Sequence, residues 1–68
     1  MSCFGERLKE LRKEKGLSQK ALAQALGYNQ SMICFWEKRV NEPTESAIRK
    51  AALFFEVSAD YLLGLSDD

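Results

Sequence analysis

A chain of 68 residues, 46% of them hydrophobic, with ten basic and ten acidic side chains and a formal net charge of zero, supports one hydrophobic core and no second. It contains no histidine, so the commonest general base near neutral pH is missing, and its two cysteines cannot by themselves complete the usual tetrahedral zinc set. With no nucleophile beside an activating partner, no Gly-rich phosphate loop and no metal-spaced acidic cluster, the sequence reads as a non-enzyme with no catalytic residue, no metal and no cofactor.

In chain order, Phe4, Leu8 and Leu11 recur at i, i+4 and i+7 and predict a first helix from about Phe4 to Lys15, with a largely charged remainder. Gly16 can take the positive φ that ends a helix without steric penalty. Ser18 is placed to cap a second helix, about Gln19 to Leu26, by accepting from an orphan N–H. Leu22 and Leu26 point inward there, and Ala23 between them is small enough for the following helix to cross closely. Gly27 makes the turn, and Asn29 caps a third helix running to Glu37. Two short helices joined at a glycine, the second held proud of the body, are the physical core of a helix-turn-helix, here residues 18–38.

Lys38 to Pro43 then form a polar, turn-forming loop. Thr44 caps a fourth helix, with Glu45 in its first turn and Ile48, Ala51, Ala52 and Phe55 as its buried stripe. Leu53 falls nearly opposite that stripe and Phe54 at its flank, which leaves apolar surface to be accounted for. Ser58 caps a fifth helix, about Ala59 to Leu63, closed by Gly64, and the tail over residues 66–68 is expected to be disordered. The expected fold is all-α: five helices in one domain over residues 1–68.

The third helix is the element built for contact. At about 100° per residue it carries Ile33 and Trp36 on one side with Met32 beside them. Ser31, Phe35 and Lys38 fall on roughly the opposite side, with Cys34 at one flank and Gln30 at the leading edge. The neutral net charge also hides an asymmetry. Residues 1–39 hold eight basic side chains against four acidic, and residues 40–68 hold two against six, so one half can face a polyanion while the other repels it. No apolar run is long enough for a bilayer and the N-terminus has no signal-peptide core, so a cytoplasmic protein without membrane contact is expected. Cys3, near a terminus expected to fray, and Cys34 read as free thiols of a reducing compartment.

The motifs G-L-S-Q at Gly16–Gln19, L-A at Leu22-Ala23, L-G at Leu26-Gly27, Q-S at Gln30-Ser31, Ile33, W-E at Trp36-Glu37, Pro43 and V-S-x-D-Y-L-L-G at Val57–Gly64 together resemble the Cro/repressor-type, or XRE-type, helix-turn-helix domains of phage repressors and bacterial regulators. That resemblance covers nearly the whole chain. It implies a five-helix, lambda-repressor-like domain that binds duplex DNA, as a homodimer on a palindromic operator, and represses transcription in a bacterial or phage setting, nucleoid-associated when bound. It also implies that Gln30 and Ser31 touch base edges, that Gln19 braces Gln30 and holds a phosphate, and that Asn41 lies in a backbone-contacting loop. Two positions depart from the family habit: Arg39 and Glu56 stand where glycine is common, at helix ends expected to have positive φ. Phe35 stands where many relatives carry a polar or basic residue.

On that reading Gln30 can pair with adenine N6 and N7, Ser31 can donate or accept, and Phe35 can lie against a thymine methyl. Gln19, Lys20, Asn29, Lys38, Arg39 and Asn41 are assigned to the phosphate backbone, where Lys38 and Arg39 would each steepen the salt dependence. Leu53, Phe54, Tyr61 and Leu65 are the candidate dimer surface. A competing reading makes the exposed face of the third helix, with Phe35 and Cys34, a docking site for a protein, as in an antitoxin-like or scaffold module.

Overall fold

Four side-chain caps punctuate the backbone and divide it into helices. The computed structural model describes residues 3–67. Within them run α1 (Phe4–Glu14), α2 (Gln19–Leu26), α3 (Gln30–Glu37), α4 (Glu45–Phe55) and α5 (Ala59–Leu63). The Ser18 hydroxyl accepts from Ala21 N–H at 3.0 Å, Asn29 Oδ1 from Met32 N–H at 2.9 Å, Thr44 Oγ1 from Ala47 N–H at 3.1 Å and the Ser58 hydroxyl from Tyr61 N–H at 2.9 Å. Each satisfies one of the orphan donors of a helix start, so the boundaries of α2 to α5 are local sequence effects. Gly27 at φ 83° then turns the chain sharply between α2 and α3.

Phe4, Leu8, Leu22, Ala23, Leu26, Ile33, Trp36, Ala51 and Phe55 meet in one core, as the spacing predicts. Two residues outside the predicted stripes join them, Ala47 and Leu62. The α4 stripe is rotated from the expected one: the four-apart row Ala47, Ala51, Phe55 is buried, while Ile48 and Ala52 are only half-buried. α4 has to face both α2 and α5, and a row whose first two members are alanines lets it approach closely. Leu11 is likewise half-buried, since α1 ends its apolar row with Arg12.

Trp36 is the centre of this core. Its ring meets Phe4 edge-on at 5.6 Å between centroids and Tyr28 at 5.1 Å, contacts worth about 0.5–1.5 kcal/mol each beyond burial. The backbone of α3 also lies directly on α1. A Cβ added at buried Gly5 would run into the Trp36 carbonyl, so only glycine admits this approach. Cys3 is the N-cap residue of α1, and its Sγ lies against Gly64 at the end of α5, where the sequence reading placed a fraying terminus. Of the tail over residues 66–68, the Ser66 carbonyl accepts from Arg7 Nη1 at 2.9 Å, and Asp68 lies outside the described residues.

Arg39 and Glu56 adopt φ of 62° and 57°, the left-handed conformation expected at those helix ends. Glu56 is exposed, and its backbone strain there is offset by no side-chain ion pair among the described residues. Replacing Glu56 by Gly should raise the unfolding free energy by about 1 kcal/mol in a denaturant titration; an unchanged or lowered midpoint would mean that the strain is relieved elsewhere.

Candidate nucleic-acid interface

Two sets of contacts hold α3 in place. Its apolar side is anchored by Ile33 and Trp36, both buried. Its last residue, Glu37, is held by a polar clamp. Arg12 donates from Nε to Glu37 Oε2 at 2.7 Å and from Nη2 to Oε1 at 3.1 Å, a forked ion pair whose side chains are 11% and 4% exposed. Gln19 Nε2 donates to the same Oε1 at 3.0 Å, and Arg12 Nη1 donates to the Leu17 carbonyl at 2.8 Å. One carboxylate thereby joins α1, the first residue of α2 and the end of α3, and Arg12 extends the clamp to the turn into α2. Forked, charge-assisted geometry is directional, so the clamp fixes the orientation of α3 as well as its position.

The opposite side of α3 faces solvent. Gln30, Ser31 and Lys38 are exposed, and Phe35 keeps 41% of its surface exposed; Cys34 is half-buried at the flank. An amide, a hydroxyl, an aromatic ring and an ammonium thus share one free face of a helix of about 12 Å length. Lys20, Asn29 and Asn41 are exposed around it, the Asn29 carbonyl oxygen being committed to its cap. Val40, beyond the end of α3, is 64% exposed.

Several basic residues are less available than their number suggests. Arg12 belongs to the buried clamp and not to the surface, a correction to the charge count. Arg7 lies 4.3 Å over the Tyr61 ring and donates to the Tyr61 and Ser66 carbonyls. Arg39 Nη2 is 3.2 Å from Glu6 Oε2. The Gln19 amide also differs from its expected use, donating to Glu37 where the resemblance implied Gln30. The clamp residues Glu37 and Arg12 lie outside the site set that the sequence suggests. Their signal was present: Arg12 continues the row Phe4, Leu8 at four-residue spacing, so it was bound to point inward and require a partner.

The candidate self-association residues are scattered in exposure. Leu53 and Leu65 are 80% and 75% exposed. Phe54 is half-buried edge-on to Phe55, with Lys15 Nζ 5.7 Å from its ring, and Tyr61 is half-buried beneath Arg7. Tyr28, beside the turn, packs on Trp36, with Lys50 Nζ 5.0 Å from its ring centroid. Both cysteines are free thiols, and among the described residues no group of side chains is arranged to hold a metal and no helix is long and apolar enough to cross a membrane.

This arrangement, a capped helix pair with the second helix clamped beneath and bare above, defines a helix-turn-helix domain. A family model described as helix-turn-helix matches residues 8–62, and the chain belongs to that family, of the XRE type its motifs resemble. The P22 c2 repressor, solved in complex with a synthetic operator, has the same fold: TM-score 0.87 at 29% identity, covering 97% of this chain and 100% of that one. SinR, described as the master regulator for biofilm formation and solved in complex with DNA, gives a TM-score of 0.81 at 33% identity over 88% of this chain and 97% of that chain. Among curated proteins, the transcriptional regulator ImmR of Bacillus subtilis (strain 168) is 35% identical over 61 residues, 90% of this chain and 48% of the regulator. The chain spans between 29% and 58% of the length of the curated relatives it matches.

Removing one partner of a nearly buried pair strands the other. Glu37→Ala should therefore lower the unfolding free energy by about 3 kcal/mol, and the double change Arg12→Met with Glu37→Leu should recover most of that loss. A Glu37→Ala protein as stable as the parent in urea would show that the clamp carries no stability.

Proposed function

We propose that this chain is a sequence-specific, double-stranded DNA-binding transcriptional regulator, acting as a repressor, which lays α3 in the major groove. The observation that carries this reading is the free face of α3, bearing Gln30, Ser31 and Phe35, on a helix oriented from beneath by Trp36 and the Glu37 clamp. The P22 c2 repressor, solved with its operator, and SinR, solved with DNA, share this fold over nearly the same length. Gln30 reads adenine through its amide, Ser31 contacts an adjacent base edge and Phe35 covers a thymine methyl. Lys20, Lys38, Arg39, Asn29, Asn41 and the remaining hydrogen-bonding capacity of Gln19 position the helix on phosphates without reading sequence. The chain works in the cytoplasm of a bacterium or on phage DNA, catalyses no reaction, and needs no metal or cofactor.

Two copies meet on a palindromic site, because a two-fold protein reads two half-sites about one helical turn apart. Leu53 and Leu65, exposed on α4 and after α5, supply apolar area for that contact, with the half-buried Phe54 and Tyr61 contributing their open edges.

Selection of bound duplexes from a random pool should return paired half-sites. On the selected duplex, Lys38→Ala should weaken binding to all sequences alike and flatten the slope of log affinity against log salt by about 0.9. Gln30→Ala should instead relax preference at one base pair, losing about 1–3 kcal/mol of discrimination there. Affinity indifferent to salt would turn the assignment toward a protein partner docking on the same face.

Sedimentation of the protein with the selected duplex should report two chains per duplex, and Leu53→Glu with Leu65→Glu should reduce this to one. One chain per duplex for the parent would remove the dimer from the proposal.

A further inference from the structure

Lys20 on α2 and Lys38 at the end of α3 are exposed and make no ion pair among the described residues; Arg39 does. Its Cα is held rigidly. The left-handed Arg39 donates its N–H to the Trp36 carbonyl at 3.1 Å, and Val40 N–H donates to the Phe35 carbonyl at 2.9 Å, which closes the end of α3. From that fixed point the guanidinium reaches to the first turn of α1, where Nη2 meets Glu6 Oε2 at 3.2 Å. The two side chains remain 47% and 56% exposed. A pair so open to water is weak and easily exchanged. A DNA phosphate offers the same guanidinium a second anion, one that suits its forked donors.

We propose that Glu6 is a positioning residue for DNA binding: its carboxylate holds Arg39 in place of a backbone phosphate, and so sets how much of the affinity and salt sensitivity Arg39 supplies. The proposal rests on the DNA-binding reading and refines it. A residue in the left-handed conformation where glycine would be unstrained is kept here as arginine, and its charge is met by an acid from another helix, 33 residues away in sequence. The acid keeps the cation beside the C-terminal end of α3 at the edge of the reading face, yet makes each phosphate compete for it. Lys38, the neighbouring residue, carries no such partner among the described residues and contributes in full.

The test is a cycle of salt titrations on one selected duplex, using the parent, Glu6→Gln, Arg39→Ala and the double variant. Both sites are exposed, so folding should be retained. Glu6→Gln should bind about fivefold tighter and steepen the salt slope by about 0.9, and both gains should vanish in the Arg39→Ala background. Equal gains with and without Arg39 would mean that Glu6 acts only as a negative charge near DNA, and no gain in either would mean that the pair does not compete with phosphate; each result overturns the proposal. Absence of salt-dependent duplex binding by the parent would sink the DNA-binding reading itself, whereas a parent that binds without coupling between Glu6 and Arg39 removes the Glu6 proposal alone.

Discussion

One carboxylate determines how α3 can lie. Glu37 receives a forked pair from Arg12 and an amide from Gln19 with only 4% of its side chain exposed, so α1 and α2 both converge on two oxygens of α3. A buried ion pair of this kind is a modest source of net stability, because desolvation offsets much of the attraction. Its directionality is a separate property. Apolar packing of Ile33 and Trp36 would tolerate small rotations of α3 about its axis; a forked guanidinium with a third donor tolerates few. The face bearing Gln30, Ser31 and Phe35 is therefore aimed by a polar contact beneath the opposite end of the same helix.

The second constraint is the close approach of α1 to α3. Gly5 faces the Trp36 carbonyl, and Phe4 and Tyr28 close edge-on around the indole. α1 therefore supports α3 at several points: Phe4, Gly5 and Leu8 seat it, Arg12 orients it, and Glu6 pairs with the arginine that follows it. The charge dipole along the sequence is real but thinner in space than in the count. Arg7, Arg12 and Arg39 are each engaged within the molecule. The bulk charge therefore overstates the basic surface left open to a polyanion.

Much of this protein follows from local rules in its sequence. Caps at Ser18, Asn29, Thr44 and Ser58, glycines at Gly27 and Gly64, and apolar spacing at 3.6 residues set the five helices, because each is an interaction between near neighbours. The same periodicity separated Ile33 and Trp36 from Ser31 and Phe35, and the conformations of Arg39 and Glu56 follow from their places at helix ends. Tertiary structure alone decided the rest. Which carboxylate Arg12 would find, that Gln19 would brace Glu37, that Arg39 would reach Glu6, and that α4 would turn Ala47 inward and leave Ile48 half out all depend on where helices distant in sequence come to lie. Periodicity states which side of a helix is buried; only the packed chain states against what.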